Sequence, residues 1–165
     1  MKICIYLFLM VLLFTNCHSK SPTTLKSSEI EQKEERIKVL SKQVKIYSEI
    51  LDAEYSLFNV NGFESSFSFG VGASSWHYKI AIEVEKKDVD KWLKGMYEAE
   101  NPNAKDSVWI NDMLSNLDSA RKQKWERIIK TSTPKRFTMS ATNGRSKVAI
   151  IYFDEGIIFQ RIIQD

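Results

Sequence analysis

Between residues 76 and 85 apolar and polar side chains alternate. Trp76, Tyr78, Ile80, Ile82 and Val84 fall on one side of a pleated strand, and His77, Lys79, Ala81, Glu83 and Glu85 on the other. This period predicts a strand with one apolar and one mostly solvated face. Phe137, Met139 and Ala141 alternate in the same way up to Asn143-Gly144, and residues 147–153 return as a nearly continuous apolar run. Asp154-Glu155-Gly156 then turns the chain into the apolar stretch 157–163. The pattern predicts a C-terminal three-stranded antiparallel meander with its middle strand central in the sheet. A further hairpin is expected where Leu57-Phe58-Asn59-Val60 meets Asn61-Gly62 and continues through Phe63, Phe67 and Phe69. Gly70-Val71-Gly72-Ala73-Ser74-Ser75 lacks the lysine and helix start of a phosphate loop and reads as a connection.

Helical periods occupy the rest. Ser28-Glu29-Ile30-Glu31 has the spacing of a capping box, and Ile30, Ile37, Val44 and Leu51 recur every seven residues with Leu40 and Tyr47 between them. Val39, Ile46 and Ile50 widen the stripe, which predicts a long N-terminal helix packing its later turns on a sheet. A coiled-coil dimer would use the same heptad, but Lys33 interrupts the seam, and a monomer is expected. Asp88 is placed to cap a short helix carrying Val89, Trp92, Leu93 and Met96. After the loop Asn101-Pro102-Asn103, a second helix is predicted from about Ser107, with Ile110, Met113, Leu114 and Leu117 inward, continuing through Trp125 and Ile128. The element order predicts an α+β domain over residues 28–165. Its antiparallel sheet should have about five to six strands, with the long N-terminal helix and two further helices.

The first residues belong to none of these elements. Met1-Lys2 precedes an unbroken apolar run over residues 3–14. As a helix that run would cover roughly 18 Å, too little for a hydrocarbon core of about 30 Å, so residues 1–16 read as a removable signal peptide. Phe14-Thr15-Asn16-Cys17 lacks the small residues of an ordinary cleavage site and resembles the relaxed lipobox of bacterial lipoprotein precursors. The resemblance implies that Cys17 becomes the first mature residue and carries a diacylglycerol on its thiol and an acyl chain on its amino group. Each buried methylene contributes about 0.8 kcal/mol, so two or three chains anchor the protein permanently. His18 occupies the position where some bacteria read an aspartate as an inner-membrane signal, and by that analogy the outer membrane is favoured. Residues 17–27 are polar, contain Pro22 and read as the lipidated N-terminus and its tether. The Trp-x-Tyr strand, the short Trp-containing helix and the C-terminal meander are together similar to small envelope lipoproteins of no assigned activity, which implies no chemistry.

Composition narrows the partners. The only other cysteine, Cys4, lies in the segment to be removed, so the mature chain has no disulfide to rely on. The 24 basic and 21 acidic residues nearly balance, which argues against nucleic acid. With one histidine in the domain and no cysteine, no metal or cofactor is expected. Asp88/Asp90 read as helix capping and Asp154/Glu155 as turn chemistry. Arg121, Lys122, Lys124 and Arg127 flank Trp125, a pattern that serves either anionic lipid or a solvated helix face with the indole turned inward. His77 is the one candidate catalytic residue. These features favour a tethered binding module for an envelope protein, glycan or lipid, with a hydrolase or transferase using His77 and a carboxylate as the alternative.

Overall fold

A computed structural model of the chain describes residues 22–63, 75–99, 104–140 and 145–164. The signal segment, Cys17, the loop 70–74, the expected strand from Phe67 to Phe69, Asn101-Pro102-Asn103 and the Asn143-Gly144 turn lie outside the described residues.

The domain is α+β. Seven strands form one antiparallel sheet: β1 (Thr24–Lys26), β2 (Asp52–Asn59), β3 (Trp76–Glu83), β4 (Tyr97–Glu98), β5 (Lys135–Ser140), β6 (Arg145–Tyr152) and β7 (Ile157–Gln164). Their spatial order is β1-β2-β3-β7-β6-β5-β4. Among the described residues three α-helices accompany them, α1 (Lys33–Gln43), α2 (Ala104–Leu114) and α3 (Ser119–Thr131), with a 3-10 helix at Lys86–Leu93.

Strand alternation divides the interior into two cores. Ala53, Tyr55, Leu57, Tyr78, Ile80, Ile82, Ala149, Ile151 and Ile158 point to the face covered by Leu40 of α1, by Ile50 and by Val89 and Trp92 of the 3-10 helix. Ala81, Ile150, Tyr152, Ile157 and Phe159 point to the other face. There they meet Trp109, Ile110, Met113 and Leu114 of α2 and Trp125 and Ile128 of α3. The sheet is covered on both sides, so the polar-looking face of β3 is roofed by α2 instead of open to water.

Several elements differ from the sequence reading. The N-terminal helix is confined to Lys33–Gln43. Before it, the buried Ser27 hydroxyl accepts from the Tyr55 amide and donates to the Tyr55 carbonyl, which holds the chain against β2 and leaves Ser28 in a 3-10 turn. After it, residues 44–51 leave the helix, and Tyr47 packs edge-on against Trp92 at 5.3 Å. The apolar stripe at Val44, Tyr47 and Ile50 reflects this overlay on the sheet, not further helical turns. Part of the stretch read as tether is β1, whose Leu25 pairs with Leu57.

Asn61-Gly62 does form a turn, with Gly62 at φ 78° and its amide bonded to Asn59 O, but β2 pairs with β1 and β3. The helix predicted from Ser107 through Ile128 is two helices. Asp118 caps the second by accepting from the Arg121 amide at 3.0 Å. Asp88 lies inside the Lys86–Leu93 helix and pairs with Lys91 at 2.6 Å instead of capping it. β5, β6 and β7 are consecutive neighbours, yet the centre of the sheet is β7, because β3 pairs along its free edge.

Candidate functional site

The residues singled out in the sequence separate onto different surfaces. His77 sits on the β3 face beneath α2, in an open depression with Lys79, Trp109, Asp112 and Arg161. Its Nε2 accepts from Arg161 Nε at 2.9 Å, so a guanidinium occupies the lone pair that a general base would use. Asp112 shares the depression but is paired with Lys79, whose hydrogen bond holds its carboxyl below the usual carboxylate range.

Two cations of the basic helix, α3, are paired with carboxylates of the sheet. Trp125 is fully buried in the second core. Arg121 donates through Nε to Glu54 at 2.9 Å, and Lys124 bridges Asp52 and Glu83 at 2.6 Å each. Arg36 of α1 joins the same group through Asp52 at 2.9 Å and the Ala53 carbonyl at 3.0 Å. Burial raises the Asp52 carboxyl, but Lys124 and Arg36 outweigh it and hold that group below its ordinary value. Three cations and three carboxylates thus close one end of β2 and β3. A hollow of about 560 Å³ beside them is lined only by α3 and has no opposing wall. The aspartates and glutamates at 88, 90, 154 and 155 form no cluster; among the described residues no group of three or more metal-ligating side chains comes together. Nor is any described helix long and apolar enough to cross a membrane.

A different site emerges on the opposite face. Where residues 43–47 leave α1 and pass over the sheet, they enclose a groove of about 280 Å³ with Trp76, Tyr78, Met139, Arg145, Lys147, Gln160 and Ile162. Strand register explains its floor. Lys147 of β6 lies opposite Met139 of β5 and Ile162 of β7, which in turn faces Tyr78 of β3. One step along, Gln160 lies between Ala149 and Ile80. Trp76 and Tyr78, two residues apart on one strand, stack with centroids 4.9 Å apart, and Arg145 lies over the Trp76 ring at 5.0 Å. Lys45 and Lys147 approach the Tyr47 ring at 5.4 and 5.8 Å.

Two polar groups in this groove are unmatched. Lys147 is only 8% exposed and Gln160 4%. The Lys147 ammonium lies over the Tyr47 ring, no carboxylate of the described residues lines its groove, and desolvation pulls its pKa from 10.5 down to about 8. The Gln160 Nε2 has no acceptor. An unpaired buried amide costs about 1–3 kcal/mol and an unpaired charge more, so folds retain such groups where something else satisfies them.

Sequence reasoning placed residues 147–153 and 157–163 in apolar strands without weighing these two positions. The signal was their parity: Lys147 shares a face with Ala149 and Ile151, and Gln160 with Ile158 and Ile162. A polar residue on the apolar parity of a central strand is the anomaly that marks the groove. Comparison of the chain with protein-family models, with curated proteins and with solved structures finds no match.

Proposed function

We propose that the chain is an envelope lipoprotein, anchored in the membrane through acylated Cys17 with the outer membrane favoured, and that its domain is a non-enzymatic binding module. The reading of its location rests on the apolar run 3–14 and the relaxed lipobox Phe14-Thr15-Asn16-Cys17. The reading of its function rests on one observation: a largely buried lysine with no carboxylate of the described residues near it and a buried glutamine amide without an acceptor belong to residues that line the same aromatic-walled groove. Pockets of this kind, apolar in the walls with a few convergent polar groups, are what ligand recognition uses. The alternative, a hydrolase or transferase built on His77, has less support because Arg161 engages the imidazole Nε2 and Lys79 engages Asp112.

Native mass spectrometry of the chain taken from cell membranes tests both halves. The expected species begins at acylated Cys17 and carries a small-molecule adduct that Lys147→Met loses. A soluble species with a free Cys17 thiol overturns the anchor. Adduct profiles that are identical in the two proteins overturn the groove.

A further inference from the structure

Resting on the reading of the groove as the binding site, we infer that its ligand is a small organic carboxylate. Its carboxylate lies between Lys147 Nζ and Gln160 Nε2, and its apolar or planar body lies against Trp76, Tyr78 and Tyr47.

The chemistry follows from what the groove offers and lacks. Lys147 supplies one positive charge and Gln160 a neutral donor; they are diagonal neighbours on one face of adjacent strands, a spacing that long side chains span. No carboxylate of the described residues lines the groove. Tyr47 at 5.8 Å gives the ammonium a cation–π contact, about 0.5–2 kcal/mol, which is less than the cost of holding a charge out of water. A single negative charge restores the balance and also gives Gln160 Nε2 its acceptor. Arg145, the one guanidinium of the lining, lies over the Trp76 ring and bonds Gln164, so a phosphate would find too few free donors at Lys147 and Gln160, since phosphate sites are usually built from guanidinium forks or backbone amides.

The walls set the rest of the molecule. Trp76, Tyr78, Met139 and Ile162 present apolar surface. A cavity of about 280 Å³ holds a compact molecule, not a polymer chain. Lys45 and Arg145, both exposed at the rim, attract anions towards the opening.

The test is titration of the full chain, isotopically labelled, with benzoate, 2-naphthoate and hexanoate, each beside its matching primary amide, and with inorganic phosphate. Nuclear magnetic resonance reads the Gln160 side-chain amide and the Trp76 indole N–H. The expected result is saturable shifts at both groups with at least one carboxylate, at least tenfold tighter than its amide, and loss of that preference in Lys147→Met. Gln160→Leu should weaken the carboxylate about fivefold and the amide less, since a neutral carbonyl accepts from the same side chain more weakly. Both variants must keep the wild-type dispersion of resonances outside the groove, and Lys147→Gln, which removes the charge but keeps a polar end, serves if Lys147→Met does not. Amides that bind as well as carboxylates, or phosphate that binds more tightly, overturn the carboxylate assignment while leaving the groove a binding site. No shift at Gln160 or Trp76 with any probe overturns both readings together.

Discussion

Replacing Lys147 by methionine should stabilise the domain, the opposite of what most substitutions of buried residues do. In the folded protein desolvation lowers the Lys147 pKa from 10.5 to about 8. At about 1.36 kcal/mol per unit, holding the proton at pH 7 therefore costs the folded state about 3 kcal/mol. Methionine keeps the unbranched stem between Met139 and Ile162 and removes the charge. A gain of about 2–3 kcal/mol is expected, or a rise in Tm of roughly 8–10 °C for a domain of this size.

The pH dependence carries the sign. The unfolded lysine binds a proton that the folded one releases between about pH 8 and pH 10.5, so wild-type stability climbs through that window and the advantage of the variant shrinks. The titratable and charged groups facing the ammonium are Lys45 and Tyr47 on the covering segment, Tyr78 on β3 and Arg145 on its own strand. Burial pushes the Tyr78 phenol above its ordinary value, against a hydrogen bond with Asn59, so it does not titrate early in the window. Urea unfolding followed by tryptophan fluorescence, at pH 7 and again at pH 9.5, gives the two differences. A variant no more stable than wild type at pH 7, or a gap of equal size at both pH values, would refute the reasoning.

Other substitutions probe the frame around the site. Gly156 has φ +70°, and a Cβ there would overlap the Val84 carbonyl oxygen, so Gly156→Ala should cost about 3 kcal/mol in urea unfolding; a loss under about 1 kcal/mol would show that the turn relaxes freely. Arg121→Ala strips the fully buried Glu54 of its bidentate partner, with Arg36 at 3.5 Å remaining, and should cost about 3 kcal/mol. Lys130→Ala, on the same helix but 73% exposed and paired only with Glu126, should be near neutral, and equal effects of the two would contradict the burial argument. Asp52→Asn should weaken the fold by about 2 kcal/mol at pH 6. That difference should fade as pH falls below 3.8 through the lowered native pKa, and acid titration of both proteins by circular dichroism checks it.

How much of this was legible follows from what each signal measures. The strand from Trp76 was readable because strict alternation survives burial on both faces, the small Ala81 joining the second core without breaking the pattern. The inward turn of Trp125 was one of two readings left open by its basic neighbours, and the packing against Phe159 at 6.0 Å decides it. The length of the N-terminal helix was not readable, because the heptad spacing of Val44 and Leu51 arises equally when an extended segment lies across a sheet. Its ends depend on Ser27 and Arg36 bonding to β2, and such contacts span 28 and 17 residues. The groove was visible only in part. Trp76 and Tyr78 were identified as an apolar face, whereas Lys147 and Gln160 acquire meaning only when β6 and β7 are set in register beside β3.

The place of β7 bears on how the domain comes into being. Of the seven strands it is the last to be synthesised, yet it lies in the middle, joining the β1-β2-β3 half to the β6-β5-β4 half. Until it inserts, β3 and β6 each present an unpaired edge, and the groove has half a floor. Any pause in synthesis before residue 157 prolongs the interval in which β3 and β6 lack this shared partner. Completion of the sheet is deferred to one closing step, the insertion of β7 between β3 and β6.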